Sequence, residues 1–518
     1  MKVPNTKFTN LRYALPITLA LVVTFGAGWF LAFSPSLSKP AMAFSRAELM
    51  STFDSDMRNV VYRWAPEDLR STPDKRAALF DFTYQTYDSS AWIPQSLFDG
   101  NLATQAVIGD IDTIVGEKAG LVLWRDNLRV RAFGMAPDST PGQPLKWTVN
   151  CITCHTAEID GVAYFGAGTK TFDDKWLGDS LKLLTSDRWR RVVVRNPIDE
   201  GHAAAANRIL NSHHHDKIDS LTRARSTAFA ASHVELYMRP HNGVMPAIDD
   251  VGRGDVKTPP LWHTAAKMQS GRWYSDGSFH GRVPMMASSM ELEKDRPFDA
   301  LVQTVLPKIK EEFDSVISHL RPPLYPHPID RALADRGKAL FYSKELRCSQ
   351  CHGDYDGQGN VRWPGVHTDV GTDQSRLDIV SEKFIDAFKN SPLAAEGALK
   401  KSEGYAATPL TGVWANYPYL HNGSVPTLHH LLGPVSERPR IFNVMAARRL
   451  DREKGGQYLY GDPVEAKLSE SELLRRFGND RDWFNTARDG CGNAGHDFWP
   501  RIRTDANRRA LIEYLKTL

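Results

Sequence analysis

The sequence contains Cys151-Ile-Thr-Cys154-His155 and, roughly 200 residues later, Cys348-Ser-Gln-Cys351-His352. These stretches, here the first and second motifs, hold four of the five cysteines in a chain of 518 residues. Two thiols one helical turn apart can add to the two vinyl groups of one porphyrin, and the adjacent histidine can coordinate the iron. With 17 histidines in the chain, a histidine follows both pairs by chance about once in a thousand sequences. The pattern predicts two covalently bound c-type haems.

Other uses of paired cysteines fit this sequence less well. Zinc needs four ligands at one site, and the two motifs lie far apart in the chain. A thioredoxin-like redox pair belongs to a βαβ context that the sequence lacks, and it rarely occurs twice with a trailing histidine. A disulfide inside Cys-x-x-Cys is strained. For Cys491, the odd cysteine, a buried free thiol is the commoner outcome; a group beside His496 that supports the iron site and a pairing between chains are the alternatives.

The ligand on the far side of each iron decides the chemistry, because a six-coordinate iron transfers electrons and a five-coordinate iron leaves room for dioxygen or peroxide. In small c-type domains this ligand lies on the loop before the closing helix. Here residues 490–496 form that loop, and its glycines allow the backbone to approach a porphyrin. We therefore predict His496 as the second ligand of the His352 iron and Met445 as a core residue. The other candidates are His367, His421, His429 and His430.

No partner stands out for the iron on His155. The histidines at positions 202, 233, 241, 263 and 280 are candidates, whereas the run at 213–215 is more typical of a solvated loop. The absence of an obvious ligand is consistent with an open face on the first haem.

The N-terminus has the pattern of an export signal. Lys2, Lys7 and Arg12 precede an apolar run at residues 13–33, and Ala41-Met42-Ala43 follows as a cleavage site. The run approaches the roughly 20 residues that span a bilayer, so cleavage and retention as an N-terminal anchor both stay open. Either outcome places the remaining chain in the periplasm, where membrane contact is expected only through an uncleaved leader.

Composition narrows the class of protein. The chain is 42% hydrophobic and 24% charged, with a formal charge of +3. These values exclude collagen, coiled coils, polytopic membrane proteins and wholesale disorder. A balanced charge gives no reason to expect a nucleic-acid partner.

Patterning predicts a mainly α fold with two tandem cytochrome c-like haem domains and long loops. Helical periodicity is present at residues 45–63, 74–86, 330–341 and 505–518. Four prolines in residues 320–328 prevent a helix from crossing that stretch. The predicted units are a signal or anchor (1–43), a helical extension packed on the first haem domain (44–145), the first haem domain (146–320), a proline-rich linker (321–329) and the second haem domain (330–518).

A weak internal repeat supports two related halves. Residues 258–262 (Thr-Pro-Pro-Leu-Trp) resemble 408–414 (Thr-Pro-Leu-Thr-Gly-Val-Trp), and residues 274–278 resemble 420–424. Shared turn chemistry is the alternative explanation, because Asn-Gly and Asp-Gly turns are common.

These features resemble the bacterial di-haem cytochrome c peroxidase and MauG superfamily. Within it, the chain is most similar to RoxA-type rubber oxygenases and di-haem fatty-acid dioxygenases. The similarity extends over most of residues 100–518. It rests on the wide gap between the motifs and on residues 335–341, 417–427, 495–496 and 511–518. True peroxidases have a shorter gap, which favours the oxygenase branch.

The resemblance implies roles for particular residues. The haem on His155 would be the reactive centre, and the haem with His352 and His496 would store electrons. Family members place a tryptophan between the haems beside an Asp-Gly turn, where this chain has Ser275. The catalytic candidates are therefore the nearby aromatic residues Trp262, Trp273 and Phe279.

The sequence leaves further details of the active pocket open. Phe279 with Met285, Met286 and Met290 would form an apolar wall, or the methionines belong to a core helix. Glu291 and Glu293 would suit a peroxidase, which needs a group that moves peroxide protons. The resemblance also leaves calcium between the domains open, bound partly by backbone carbonyls near residues 416–418.

The expected function is a periplasmic di-haem oxidoreductase that uses O₂ or H₂O₂ at the first haem to oxidise an apolar, unsaturated small molecule or lipid-like substrate. One alternative is a cytochrome c peroxidase that receives electrons from a small periplasmic redox protein. The other is an electron-transfer cytochrome without catalytic activity.

Overall fold

The computed structural model describes the second half of the chain almost completely and the first half in segments. The described residues are 60–61, 63–64, 72–84, 92–94, 116–125, 130–132, 135–138, 146–173, 175–177, 179, 221–226, 254–271, 274–285, 298–357 and 359–518. The predicted leader, Trp273, Met286, Met290, Glu291, Glu293 and the histidines at 202, 213–215, 233 and 241 lie outside them. No helix among these residues is long and apolar enough to cross a membrane.

The described part of the fold is mostly helical, with strands of two to four residues. The helices, including one π-helical segment at Leu301–Val305, are Pro73–Thr83, Cys151–Cys154, Thr264–Ser270, Phe298–Ala300, Leu301–Val305, Leu306–Ser315, Arg331–Phe341, Cys348–His352, Ser375–Asp378, Glu382–Lys389, Leu428–Leu432, Glu470–Phe477, Trp499–Ile502 and Asp505–Leu515. Single 3₁₀ turns lie at Leu261–His263, Ile317–His319, Pro392–Ala395, Val413–Ala415, Val435–Glu437, Met445–Arg448 and Glu465–Lys467.

Two predicted helices form the frame of the second half. Asp330 caps the Arg331–Phe341 helix by accepting a hydrogen bond from Leu333 N at 3.0 Å, and Thr504 caps Asp505–Leu515 in the same way. The helices cross so closely that a Cβ on Gly337 would lie 1.9 Å from the Ala510 carbonyl oxygen. The periodicity at 330–341 and 505–518 therefore predicted both elements correctly, and Pro73–Thr83 likewise confirms the one at 74–86.

The first motif lies in a more strand-rich setting than the sequence analysis expected. A hairpin of Thr156–Ile159 and Val162–Phe165 follows it directly. Asp160 and Gly161 both have positive φ, at 50° and 74°, which matches the two-residue turn that Asp-Gly favours. Val60–Val61 pairs with this hairpin as a parallel strand, so the prediction of helix through residue 63 is wrong at its end. The β-branched valines fit a sheet edge better than a helix.

The two halves of the chain share one hydrophobic core. Phe279–Gly281 pairs with Gly397–Leu399, and Lys257 N donates to His421 O at 2.9 Å across the halves. No helix crosses the proline-rich linker, and Trp414 Nε1 donates to its Pro323 carbonyl at 3.0 Å. His327 Nε2 of the linker lies 3.8 Å from Asp160 Oδ2, so the linker contacts both predicted haem domains.

The remaining strands form small antiparallel pairs. They are Leu320–Arg321 with Arg63–Trp64, Trp92–Pro94 and Met135–Asp138 with Lys146–Val149, Leu123–Arg125 with Val130–Ala132, Arg225–Ser226 with Val256–Lys257, Asp354–Tyr355 with Val361–Arg362, His367–Thr368 with Tyr405–Ala406, Ile441–Asn443 with Trp483–Asn485, and Leu450–Asp451 with Gly456–Gln457.

Candidate functional site

A cavity of about 620 Å³ contacts both motifs and is here called the shared cavity. All four motif cysteines line it and form no disulfide, and His155, His352 and His496 line it as well. These side chains lie deep in the fold and are partly accessible. Thiol pairs that line a pocket of this size are what covalent attachment of a porphyrin requires.

Asn150 fixes the short helix of the first motif. Its side chain accepts a hydrogen bond from Ile152 N at 2.9 Å, and its own backbone N donates to Thr153 Oγ1 at 3.1 Å. Its amide also donates to the Thr83 carbonyl at 3.0 Å, which attaches the motif to the Pro73–Thr83 helix. Capping of this kind sets the direction of Cys151 and Cys154.

The internal repeat supplies a backbone partner to each motif histidine. His352 Nδ1 lies 2.8 Å from the Thr408 carbonyl oxygen. Burial lowers the pKa of His155 to about 4, and a backbone hydrogen bond to Pro259 opposes that shift. Thr408 and Pro259 lie in the two copies of the Thr-Pro sequence, so each copy provides a backbone contact to one motif histidine. A hydrogen bond at Nδ1, as in His352, is the usual support of a metal-binding histidine.

His496 faces His352 across the shared cavity. The ring centroids are 6.3 Å apart, at an interplanar angle of 64°. A metal ion bonded at about 2 Å to one nitrogen of each ring holds the centroids roughly 6 to 6.5 Å apart. Burial lowers the pKa of His496 to about 3, with smaller effects from His352 and Arg438, so the imidazole is neutral and able to bind metal. The second motif and His496 therefore fit a haem iron with two imidazole ligands.

The loop that carries His496 is held by backbone contacts. His496 N donates to Val370 O at 2.8 Å, and Arg438 Nη1 donates to Gly495 O at 2.8 Å. A Cβ on Gly495 would lie 2.3 Å from the Gly371 carbonyl carbon, and Gly495 has a φ of 76°. Only glycine fits there, so the loop can approach the opposite wall as the sequence analysis expected.

The first motif has different surroundings. Among the described residues, no imidazole ring packs against His155 as His496 packs against His352. His263 also lines the cavity, but its Nε2 lies 2.8 Å from the Thr411 carbonyl oxygen. Lys267 is the charged side chain whose field lowers the pKa of both His155 and His263. The described residues therefore place no imidazole ring against His155 in the way that His496 lies against His352, although His263 Nδ1 is buried without a hydrogen-bond partner.

The other histidine candidates of the second half have different settings. His421 lines the cavity but stacks on Tyr405, with centroids 3.7 Å apart and planes at 12°. His367 Nδ1 contacts the Gly365 carbonyl at 3.0 Å, and His430 Nδ1 contacts Thr427 Oγ1 at 2.7 Å. Neither His429 nor His430 contacts the cavity. Met445, expected in the core, is half-buried in a 3₁₀ turn.

Two of the catalytic candidates lie behind the cavity wall. Trp262 is buried, and its Nε1 donates to Thr411 O at 3.0 Å. Phe279 is 1% exposed and packs edge-on against Tyr274. Neither side chain contacts the shared cavity, because both are packed in the hydrophobic core. Met285, expected on the apolar wall, also lies in the core. Trp273 lies outside the described residues, and a catalytic role for any of the three stays a prediction.

Ser275, at the position of the family tryptophan, does line the cavity. Its carbonyl accepts a hydrogen bond from Ala406 N at 2.7 Å, which brings Tyr405 alongside. Burial raises the pKa of Tyr405, and nearby Asp373 raises it further. The stacked pair of Tyr405 and His421 is thus the aromatic feature near Ser275. His421 was predicted only as a candidate iron ligand, and its pairing with Tyr405, 16 residues earlier, is visible only in the folded chain.

The carbonyl oxygens considered for calcium are occupied by lysine side chains. Lys257 Nζ donates to the backbone oxygen of Asn416, to its side-chain oxygen at 3.1 Å and to Pro418 O at 2.7 Å. Lys170 Nζ donates to Ala415 O at 2.7 Å and to Tyr417 O. Three acceptors around Lys257 require three protons, so the group is an ammonium ion although burial lowers its pKa. The Lys257 ammonium group repels a divalent cation and occupies these oxygens, so these residues do not fit calcium.

The second part of the repeat forms matching turns. Asp276 Oδ1 accepts from Ser278 N at 3.1 Å, and Asn422 Oδ1 accepts from Ser424 N at 3.1 Å. Gly277 and Gly423 follow with φ of 63° and 69°. The repeat is therefore also present in the geometry of the two turns.

Cys491 lies outside the cavity. It is fully buried as a free thiol with Phe442, Val444 and Phe484, and burial raises its pKa to about 12. This placement agrees with the predicted buried free thiol.

Comparison with known proteins identifies one domain. The family described as "RoxA-like, cytochrome c-like" matches residues 404–443, which include Thr408, Tyr405 and His421. The uncharacterized protein y4iM of Sinorhizobium fredii (strain NBRC 101917 / NGR234) is 31% identical over 238 residues, or 38% of this chain and 51% of that protein. The uncharacterized protein y4iJ of the same strain is 28% identical over 304 residues, or 45% and 47%.

The chain spans about half the length of these curated relatives. The comparisons and the cysteine pairs together describe a protein with a RoxA-like cytochrome c-like domain, of the kind that carries haem.

Proposed function

We propose that the protein is an exported di-haem c-type oxidoreductase that uses dioxygen or peroxide at the first motif to oxidise an apolar, unsaturated substrate. The observation that carries this proposal is the asymmetry of the shared cavity. His352 is faced by His496 at 6.3 Å, whereas His155 is faced by no imidazole among the described residues. An iron with a free coordination position reacts with small oxidants, and a saturated one transfers electrons.

The residues of each motif would have separate tasks. Cys151 and Cys154 would attach one haem with His155 as its ligand, and Cys348 and Cys351 would attach the other with His352 and His496. The haem supplies a redox-active iron, which is the source of the oxidation chemistry. The Thr408 carbonyl holds the His352 imidazole through Nδ1, and Pro259 is the backbone neighbour of His155.

The cavity wall would bind the organic substrate. Ile309, Phe313 and Ile317 line it, and the Ile317–His319 turn packs against the Thr264–Ser270 helix. Apolar side chains bind hydrocarbon and exclude water. This setting favours an alkene or a lipid chain over a polar substrate.

The test is oxygen uptake by the purified haem-loaded protein with an unsaturated fatty acid or a polyisoprene. We expect oxygen consumption with an oxygenated product, and loss of it in His155→Ala. The matched control is His429→Ala, since His429 is a partly exposed histidine outside the cavity. Reduction of H₂O₂ by reduced cytochrome c without oxygen uptake would instead identify a peroxidase. If neither activity is found and every iron is six-coordinate, the protein is an electron-transfer protein.

A further inference from the structure

Lys267 is a buried cation on the wall of the shared cavity. It lies on the Thr264–Ser270 helix, four residues after His263, so both side chains project from the same face. Its side chain is 4% exposed and lines the cavity together with the first motif. The ammonium group therefore lies inside the protein, near the position proposed for the reactive haem.

The other buried cations on this wall have oxygen partners. Arg225 donates to the carbonyls of Asn422 at 2.6 Å and Gly423 at 3.0 Å. Arg376 pairs with the buried carboxylate of Asp276 at 2.9 Å. Lys257 is surrounded by the oxygens of Asn416 and Pro418. Each of these charges is compensated within the protein.

Lys267 has no such compensation among the described residues. No hydrogen bond or ion pair involves its ammonium group, and its electrostatic neighbours are the bases His155, His263 and Lys257. Burial alone lowers its pKa to about 8, so it is still mostly charged at neutral pH. An unpaired buried charge destabilises a protein strongly, which is why buried charges are normally paired.

The described walls of the cavity are short of negative charge. They carry six cationic side chains, and Asp179 is the single described carboxylate that lines them. The cations are Lys175, Arg225, Lys257, Lys267, Arg347 and Arg376. A ligand of this cavity that brings a carboxylate would therefore improve the charge balance where Lys267 lies.

The apolar surroundings define the rest of that ligand. Ile309, Phe313 and Ile317 line the cavity, and the turn that carries Ile317 packs against the Lys267 helix. A small hydrated anion makes no favourable apolar contacts with such a wall. A carboxylate attached to a large hydrocarbon group buries that group against the wall along its length.

We propose that Lys267 binds the carboxylate of a large apolar ligand beside the first motif. This inference rests on the proposed function, since two sources of that carboxylate follow from it: a carboxylate side chain of the first haem, or the acid group of a long-chain unsaturated substrate. Both use the same charge-assisted hydrogen bond from the ammonium group.

The experiment compares Lys267→Met with Lys267→Arg and with the exposed control Lys401→Met. Mass spectrometry first verifies that the haems are attached, so that failure of haem attachment is recognised as failure of the proposed function. The haem-loaded proteins are then examined by redox titration without substrate, and by spectroscopic titration with oleic acid and with methyl oleate.

If Lys267 binds a haem carboxylate, Lys267→Met should lower the midpoint potential of the first haem, because a positive charge near the iron has been removed. The two control variants should leave that potential unchanged. If Lys267 binds the substrate carboxylate, Lys267→Met should bind oleic acid at least about tenfold more weakly than the wild-type protein does. Its affinity for methyl oleate should be unchanged. Lys267→Arg should retain most of the wild-type behaviour in either case.

Attached haems with an unchanged potential and unchanged oleic acid affinity in Lys267→Met would overturn the inference and leave the proposed function intact. If Lys267→Met does not accumulate, Lys267→Gln replaces it. The wild-type protein gives a further check on the substrate source, since equal affinities for oleic acid and methyl oleate would exclude it.

Discussion

His496 is the residue that distinguishes the second motif from the first. His496 lies 6.3 Å from His352, and its neutral form is favoured because burial lowers its pKa to about 3. We predict that His496→Ala converts the second haem from a low-spin to a high-spin species and leaves the first haem unchanged. Optical and electron paramagnetic resonance spectra measure this, with His429→Ala as the control. Unchanged spectra would exclude His496 as a ligand.

His430 offers a test of burial that is independent of any haem. Burial lowers its pKa to about 3, and the nearby bases His429 and Lys454 lower it further. A histidine whose pKa is lowered on folding stabilises the protein fully above its unfolded pKa of about 6.5, and that contribution is lost as pH falls towards the folded value.

We therefore expect the stability difference between pH 7.5 and pH 5 to shrink by on the order of 2 kcal/mol in His430→Gln, which cannot take up a proton. Urea unfolding at the two pH values measures it. The exposed His319 provides the control His319→Gln, which should keep the wild-type slope. An equal slope in all three proteins would contradict the buried neutral state of His430.

At the scale of single residues, part of the candidate site could be predicted from the sequence. The motif cysteines and histidines are recognisable from spacing alone, and His496 was predicted from its glycine loop before the closing helix. Lys267 was not predicted, because nothing in Thr-Ala-Ala-Lys-Met-Gln-Ser distinguishes it from an exposed helical lysine. Only burial without a partner identifies it, and burial is a property of the folded chain.

At the scale of elements, the crossing of the Arg331–Phe341 and Asp505–Leu515 helices positions the second motif. Alanine normally replaces a helical glycine with a gain of about 1 kcal/mol. At Gly337 the added Cβ would lie 1.9 Å from Ala510 O, so the helices must separate. We predict that Gly337→Ala destabilises the protein by about 2 kcal/mol or more. Thermal unfolding measures this, with exposed Lys338→Ala as a neutral control; a stabilised Gly337→Ala would refute the close crossing.

The lysine-occupied carbonyls make a second prediction at this scale. Lys257 satisfies Asn416 and Pro418, so Lys257→Met should cost roughly 2 to 4 kcal/mol by leaving buried acceptors unpaired. Calcium at millimolar concentration should not raise the melting temperature of the wild-type protein. Exposed Lys389→Met is the control. A chelator that lowers wild-type stability would show that a metal ion binds after all.

Element prediction succeeded where periodicity was strong and failed for short strands. The helices at 331–341 and 505–515 combine clear apolar faces with capping residues. The Asp160-Gly161 turn between alternating apolar residues is a hairpin signal that the sequence analysis did not use. Val60–Val61 was missed because a two-residue strand is determined by its partner at Val162–Phe165 rather than by its own sequence.

At the scale of the whole molecule, the two halves act as one body around the shared cavity. Strand pairing between Phe279–Gly281 and Gly397–Leu399 joins the halves, and the cavity walls come from both. The sequence repeat predicted two related halves but not this joint cavity, because contacts between distant segments leave no periodic pattern. An oxidant that reacts at the first motif would thus be close to the electron-transfer site at the second.

The central claim is that the protein carries two haems and that one of them has a free coordination position. The most direct measurement is the binding of carbon monoxide to the reduced, haem-loaded protein, with total haem determined separately. We predict two haems per chain and one carbon monoxide bound for every two haems. Binding of none, or of two, would contradict the account.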